Sequence, residues 1–99
     1  MAIRKNITSA TTTTLLNKEP NTDKKISKIL ITNHDDSDNC IVKIQLNDGA
    51  GSPTVYVINE TDIPARASLL LEDCLLYSSS NFNLEAVTSS DAEITITIE

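Results

Sequence analysis

The residues best suited to chemistry lie together in one polar run, His34–Asn39, which contains one imidazole, three carboxylates and one amide. Oxygen ligands of this kind are those that calcium prefers. The run lacks the central glycine and distal glutamate of an EF-hand loop, and Asp and Asn side chains commonly cap their own turns. We therefore predict an acidic turn and no metal-binding residues, with a bound cation as the alternative.

Other groups that could act in catalysis are scarce. A nucleophilic hydroxyl or thiol needs a neighbouring base, and His34, the one histidine, falls in the predicted turn. The adjacent carboxylates of Glu72 and Asp73 would point to opposite faces of a strand. Gly49–Gly51 is not followed by a helical pattern, as a phosphate-binding loop would be. We predict no catalytic residues, no cofactor-binding residues and no cofactor, and we expect the protein not to be an enzyme.

The two cysteines, Cys40 and Cys74, show no CxxC spacing and have one histidine to join them, so a zinc site is not expected. Buried, small apolar side chains are the expectation instead. Two cysteines are too few for a secreted disulfide framework, and no apolar stretch follows Met1–Lys5 as in a signal peptide. No apolar run has the length of a membrane span. These features favour a chain that folds in a reducing cytoplasm.

The net charge of −6 is unevenly distributed. Residues 1–28 carry six basic and two acidic side chains, whereas residues 29–99 carry two basic and twelve acidic ones. The acidic majority would repel phosphates, so nucleic acid is not an expected partner. The asymmetry suggests that the basic segment lies against an acidic surface of its own chain or of another copy. Two solvated regions of opposite charge are the alternative.

The elements that would position these groups are predicted to be strands. Residues 25–46 form an apolar run, the polar turn and a second apolar run, a pattern typical of a β-hairpin that needs further strands against its apolar face. Alternating apolar residues and regularly spaced turn residues predict those strands. The predicted strands cover residues 12–16, 25–33, 40–47, 54–59, 66–71, 74–77, 82–87 and 92–99.

This pattern predicts an all-β fold, a single antiparallel β-sandwich, jelly-roll-like, of about seven to eight short strands. One segment, Ala65–Leu76, also contains good helix formers, and a helix there is the alternative. The spacing of β-α-β units is absent.

Two parts of the chain are expected to differ in role, an extended N-terminal arm and loop at 1–24 and the β-sandwich domain at 25–99. Four consecutive threonines, Thr11–Thr14, favour an extended arm. Ile29–Ile31 is apolar on both faces of its strand, so we expect the arm or a partner to cover the second face. Ile94–Ile98 is expected to be an uncovered edge strand. Pairing between copies would satisfy both the arm and this edge, and an arm held within its own chain is the alternative.

In order along the chain, these segments resemble the small β-sandwich virion structural proteins of tailed bacteriophages. The segments that carry the resemblance are Leu15-Leu16, Ile29–Asn33, Val42–Leu46, Tyr56–Ile58, Asp62–Ala65, Ser68–Leu71, Leu84–Val87 and Ile94–Glu99. After the Ile-Pro-Ala turn, where this family often has glycine, this chain has Arg66.

The resemblance implies a non-enzymatic virion structural protein that assembles as repeated copies at the neck, head–tail connector or tail through its arm and edge strands. A capsid decoration or cement protein is the alternative within that class. Its partners would be other virion proteins and copies of itself, as a homo-oligomer in a symmetric assembly, and neither nucleic acid nor membrane. It would be located in the virion and assembled in the host cytoplasm. The resemblance brings no site residues. From another class, a small binding module for a peptide or glycan is the alternative.

Overall fold

The computed structural model describes residues 3–19, 24–47, 55–77 and 82–99, and every regular element in these ranges is a strand. The eight strands are β1 (Ile3–Ile7), β2 (Thr12–Leu16), β3 (Lys24–Asn33), β4 (Cys40–Asn47), β5 (Val55–Ile63), β6 (Ser68–Tyr77), β7 (Asn83–Thr88) and β8 (Ile94–Ile98). The all-β prediction is thereby confirmed. Among the described residues, no helix is long and apolar enough to cross a bilayer.

The strands form two four-stranded antiparallel sheets. The first sheet has the order β1-β8-β3-β6 and the second has the order β2-β7-β4-β5. Pairing is nested, because β1 pairs with β8, β2 with β7, β3 with β6 and β4 with β5. This is the arrangement of a jelly roll, in which a long folded hairpin is wrapped into a sandwich. The predicted jelly-roll-like sandwich is confirmed.

One core fills the space between the two sheets. In β8, Ile94, Ile96 and Ile98 alternate with more exposed residues, as the period of two of a half-buried strand requires. They pack in the same buried cluster as residues of β3 in the first sheet and of β4 and β7 in the second. The residues of this cluster that are 0% exposed are Ile29, Ile31, Val42, Ile44, Leu84, Ala86, Ile94 and Ile96. Each large aliphatic side chain buried this way contributes about 1.5–3 kcal/mol.

The predicted hairpin over residues 25–46 is wrong. β3 pairs with β6 and β8 in the first sheet, whereas β4 pairs with β5 and β7 in the second. The polar turn between them crosses from one sheet to the other. The sequence pattern was correct about which side chains face inward, and the inward faces of β3 and β4 meet across the core rather than side by side.

Residues 3–16 belong to the sandwich itself, although the sequence placed them in an arm preceding it. β1 and β2 each form one of the two edges of their sheet, and Ile7, Leu15 and Leu16 lie in the core. The predicted strand at 12–16 is confirmed. Since β1 pairs along the whole of β8, the expectation that β8 is an uncovered edge is wrong.

Two other strands are longer than expected. β5 continues to Ile63, beyond the predicted end at residue 59, and its register with β4 shifts twice between Val42 and Gln45. Glu60 has a φ of 51° near one of these shifts, which marks a β-bulge. β6 is one strand where two were predicted, and a register shift opposite Ile26 and Lys28 accommodates the polar pair that had suggested a turn. The alternative of a helix at 65–76 is wrong.

Candidate functional site

The acidic turn lies at one end of the sandwich and forms hydrogen bonds within itself. The Asp35 carboxylate accepts hydrogen bonds from the backbone N–H of Asp38 at 2.9 Å and of Ser37 at 3.3 Å. These bonds, first the one from Asp38 and then the one from Ser37, lower the pKa of the Asp35 carboxyl from its usual value of 3.8. Asp36 forms an ion pair with Arg66 at 3.3 Å. The carboxylates of the turn thus act as turn caps and surface partners.

The turn is attached to the rest of the molecule through Asn33, which is 0% exposed at the end of β3. Its Nδ2 group donates to the carbonyl of Asp38 at 2.8 Å and to the carbonyl of Ile63 at 3.0 Å. Its Oδ1 atom accepts from the backbone N–H of Asp35 at 2.9 Å. One amide therefore uses three hydrogen bonds to hold the β3–β4 turn against the end of β5, where two sheets meet. Sequence reasoning did not identify this residue.

Thr88, at the end of β7, has the equivalent role on the other side of the same end. Its hydroxyl lies 2.7 Å from the carbonyl of Ser9, to which it donates, and accepts from the backbone N–H of Thr11 at 3.3 Å. The connection between β1 and β2 is also held by Asp91, whose carboxylate accepts from the Ala10 N–H at 3.1 Å. This end of the sandwich is therefore closed by side-chain hydrogen bonds, which makes it a structural cap.

His34 lies in a row of polar side chains on the outer face of the first sheet. Its Nε2 atom is 2.8 Å from the Thr95 hydroxyl, which in turn donates to Oδ1 of Asn6 at 3.1 Å. These groups are exposed on a sheet face, and they order the surface of β1, β8 and β3.

The remaining candidates form no metal-binding cluster among the residues that the structure describes. Within the described part of the chain, no group of three or more His, Cys, Asp or Glu side chains is placed to hold a metal ion. Cys40 is a buried free thiol in the core. The side chains of Asp73 and Cys74 and the loop Gly49–Gly51 lie outside the described residues.

Two leucines form an apolar patch on the outer face of the first sheet. Leu30 of β3 pairs with Leu70 of β6, and Leu70 is 48% exposed. They line a shallow depression of about 270 Å³ together with Lys28, Thr97 and Glu99. The expectation that the N-terminal segment covers this face is wrong, because β1 lies beside β8 in the plane of the sheet. Cover by a partner stays a prediction.

The edge strands on the two sides of the sandwich expose different charges. β1 and β2 are the strands on one side, and β5 and β6 are those on the other. β1 exposes Arg4 and Lys5, whereas β5 and β6 expose Glu60, Asp62 and Glu72, with Arg66 exposed in the connection between them. Arg4 and Lys5 form no ion pair among the described residues, whereas Lys43 pairs with Glu60 and Arg66 with Asp36. The edge strands are thus the feature that could act in assembly, and sequence analysis could not place them before the topology was known.

Several solved structures are similar to this chain. A chain of the T13 IBDV viral particle matches with a TM-score of 0.54 and 14% identity, over 98% of this chain and 30% of that chain. A pentameric capsid protein isolated from metagenomic phage sequences matches with a TM-score of 0.48 and 18% identity, over 97% of this chain and 60% of that chain. The Anabaena sensory rhodopsin transducer has a TM-score of 0.48 and 13% identity, over 98% and 94% of the two chains.

At this identity the match at a TM-score of 0.54 is one of fold, and that chain belongs to a viral particle. The present chain spans less than two thirds of either viral chain. No protein-family model matches the sequence, and no curated protein sequence matches it.

Proposed function

We propose that this chain is a non-enzymatic structural subunit of a bacteriophage virion, present in repeated copies that associate through their edge strands. Jelly rolls of eight strands occur in viral capsid domains as well as in lectins and cupins. The observation that carries the proposal is the pair of long edge strands on one side of the sandwich, β5 of nine residues and β6 of ten. A regular edge favours pairing with another chain, and β6 is regular from Ser68 to Glu72.

The remaining surface supports the same role. The end of the sandwich formed by the acidic turn is held together by its own hydrogen bonds, as the contacts of Asn33 and Thr88 show. The exposed Leu70 lies on the outer face of the edge strand β6 itself. Within a virion, we propose a place at the neck, the head–tail connector or the tail, with the capsid surface as the alternative.

Cosedimentation with particles tests the proposal. We expect the chain to band with purified virions in a density gradient and to be present at a fixed copy number, measured by quantitative mass spectrometry. Labelling with an antibody then distinguishes the neck and tail from the capsid surface. A chain that stays at the top of the gradient and binds immobilised glycans or peptides as a monomer would contradict the virion role and favour a binding module.

Deletion of residues 1–17 is a poor test of whether the N-terminal segment acts in assembly, because it would remove β1 and β2. Loss of Ile7, Leu15 and Leu16 from the core would unfold the protein whether or not the segment acts in assembly. Substitutions of exposed edge residues separate assembly from stability, since they leave the core unchanged.

A further inference from the structure

The first sheet is open on both sides. Its order, β1-β8-β3-β6, leaves β1 and β6 each with one neighbouring strand among the described residues. An edge strand presents backbone N–H and C=O groups to any chain that comes alongside. Pairing of this kind takes its affinity from main-chain hydrogen bonds and its specificity from side chains. The two edges are therefore candidate contact surfaces.

The two edges match in length. β1 has five residues, and its pairing with β8 runs without interruption from Ile3 to Ile7. β6 keeps a regular register with β3 from Ser68 to Glu72 and then shifts. The regular part of β6 is also five residues long and contains neither proline nor lysine, the residues that most often protect an edge from pairing.

The strand directions also match. Each neighbouring pair in the order β1-β8-β3-β6 is antiparallel, so β1 and β6 run in opposite directions. A second copy placed beside the first in the same orientation therefore brings its β1 antiparallel to β6. The two four-stranded sheets then continue as one antiparallel sheet, with no change of direction at the junction.

The charges of the side chains, and their alternation between the two faces of the sheet, favour one register of β1 against β6. Arg4 lies on the outer face because it pairs with Thr97, and Glu72 lies there because it pairs with Lys28. If Arg4 is opposite Glu72, then on the inner face Ile7 is opposite Leu69 and Lys5 is opposite Leu71. Opposite charges and apolar pairs directly across two strands both stabilise a sheet. Arg4 on the edge of one copy is thus complementary to Glu72 on the edge of the next.

We infer that copies of this chain associate head to tail, with β1 of one copy added to β6 of the next and Arg4 opposite Glu72. The inference rests on the proposed function, since it names the strands through which the subunits associate. The contact joins two different surfaces, so it repeats around a ring or along a filament rather than closing as a two-fold dimer.

Charge reversal at the two positions tests this contact. We expect the wild-type chain to form oligomers whose mass rises with concentration in light scattering. Arg4→Glu and Glu72→Arg each place like charges opposite each other, and each should weaken the association at least about tenfold. The double variant restores opposite charges in reversed positions and should recover the wild-type affinity to within about threefold. Asp38→Arg, the same change of charge in the exposed acidic turn, is the matched control and should have no effect.

Several results would overturn the inference. One is a wild-type chain that stays monomeric at every concentration. Another is an Arg4→Glu variant that associates normally. If Glu72→Arg alone is defective in association, the contact would instead be a pairing between two β6 strands. Cosedimentation with particles separates these failures from failure of the proposed function. A chain that bands with virions although Arg4 and Glu72 have no effect is still a virion subunit.

Discussion

The Asn33→Ala variant should be the most destabilising single change at a polar residue in the described part of the protein. It removes hydrogen bonds to the Asp38 carbonyl, the Ile63 carbonyl and the Asp35 N–H. Each bond contributes about 1 kcal/mol net, and the buried Ile63 carbonyl, left without its partner, costs about 1–3 kcal/mol. The other two groups lie near solvent, where water replaces part of the loss. We expect a total of about 2–4 kcal/mol.

For a domain of this size, such a loss lowers the midpoint of thermal unfolding by about 10–25 °C. Urea unfolding followed by circular dichroism measures the free energy, and the slope with denaturant should stay unchanged. Asn39→Ala is the matched control, because Asn39 lies in the same turn and accepts one exposed bond from the Ala65 N–H at 3.1 Å. It should cost less than about 1 kcal/mol. Equal losses in the two variants would refute the role assigned to Asn33.

Three further predictions concern the acidic turn, the backbone and the core. Because the pKa of Asp35 is lowered, its contribution to stability is complete above the unfolded value of 3.8 and is lost as pH falls below that value. The free energy of unfolding, measured against pH, should therefore show the advantage of the wild type over Asp35→Asn disappearing at low pH. A difference that stays constant with pH would contradict this. Arg66 has a φ of 65°, in the left-handed region that favours glycine. Arg66→Gly should therefore stabilise the protein by about 0.5–1 kcal/mol in chemical unfolding, even though it loses the exposed ion pair with Asp36. Arg66→Ala should not stabilise it. Ile96→Ala should lower the free energy of unfolding by about 2–5 kcal/mol, because the Ile96 side chain is 0% exposed. Leu70→Ala should lower it by less than about 1 kcal/mol. Similar midpoints of thermal unfolding for the two variants would contradict the assignment of the core.

The sequence predicted which side chains face the core far better than it predicted which strands are neighbours. Alternation in β4 and β8 gave the inward faces correctly, because burial has a period of two in any half-buried strand. The alternation of apolar and polar residues along a strand does not indicate which other strand pairs with it. The 25–46 segment was therefore predicted to be a hairpin, although β3 and β4 lie in different sheets.

The candidate contact surfaces could not be predicted from the sequence, because the sequence does not show which strands are neighbours. The basic and acidic residues were evident from the sequence, but their placement on opposite sides of one sheet depends on the topology. β8 had every local feature of an edge strand, and only its pairing with β1 makes it an interior one. Asn33 was missed because a polar residue between a strand and a turn has many ordinary roles, and its three partners come from β5 and the turn.

Arg66 follows the Ile-Pro-Ala turn, where the phage proteins that the sequence resembles often have glycine. The positive φ at that residue explains why glycine suits the β5–β6 connection. The ion pair with Asp36 offsets a small part of the cost, since both side chains are exposed.

The nested pairing of the strands also determines the order in which the chain can fold during synthesis. β4 and β5 are close in sequence and can pair early, whereas β1 has to wait for β8, because Ile3 pairs with Ile98. At about 5–20 residues per second, the ribosome takes several seconds to produce the missing partner. Contacts this distant in sequence also make folding slow. During that time β1 is available to the β8 strand of another copy, so newly made chains at high local concentration can exchange their first strands.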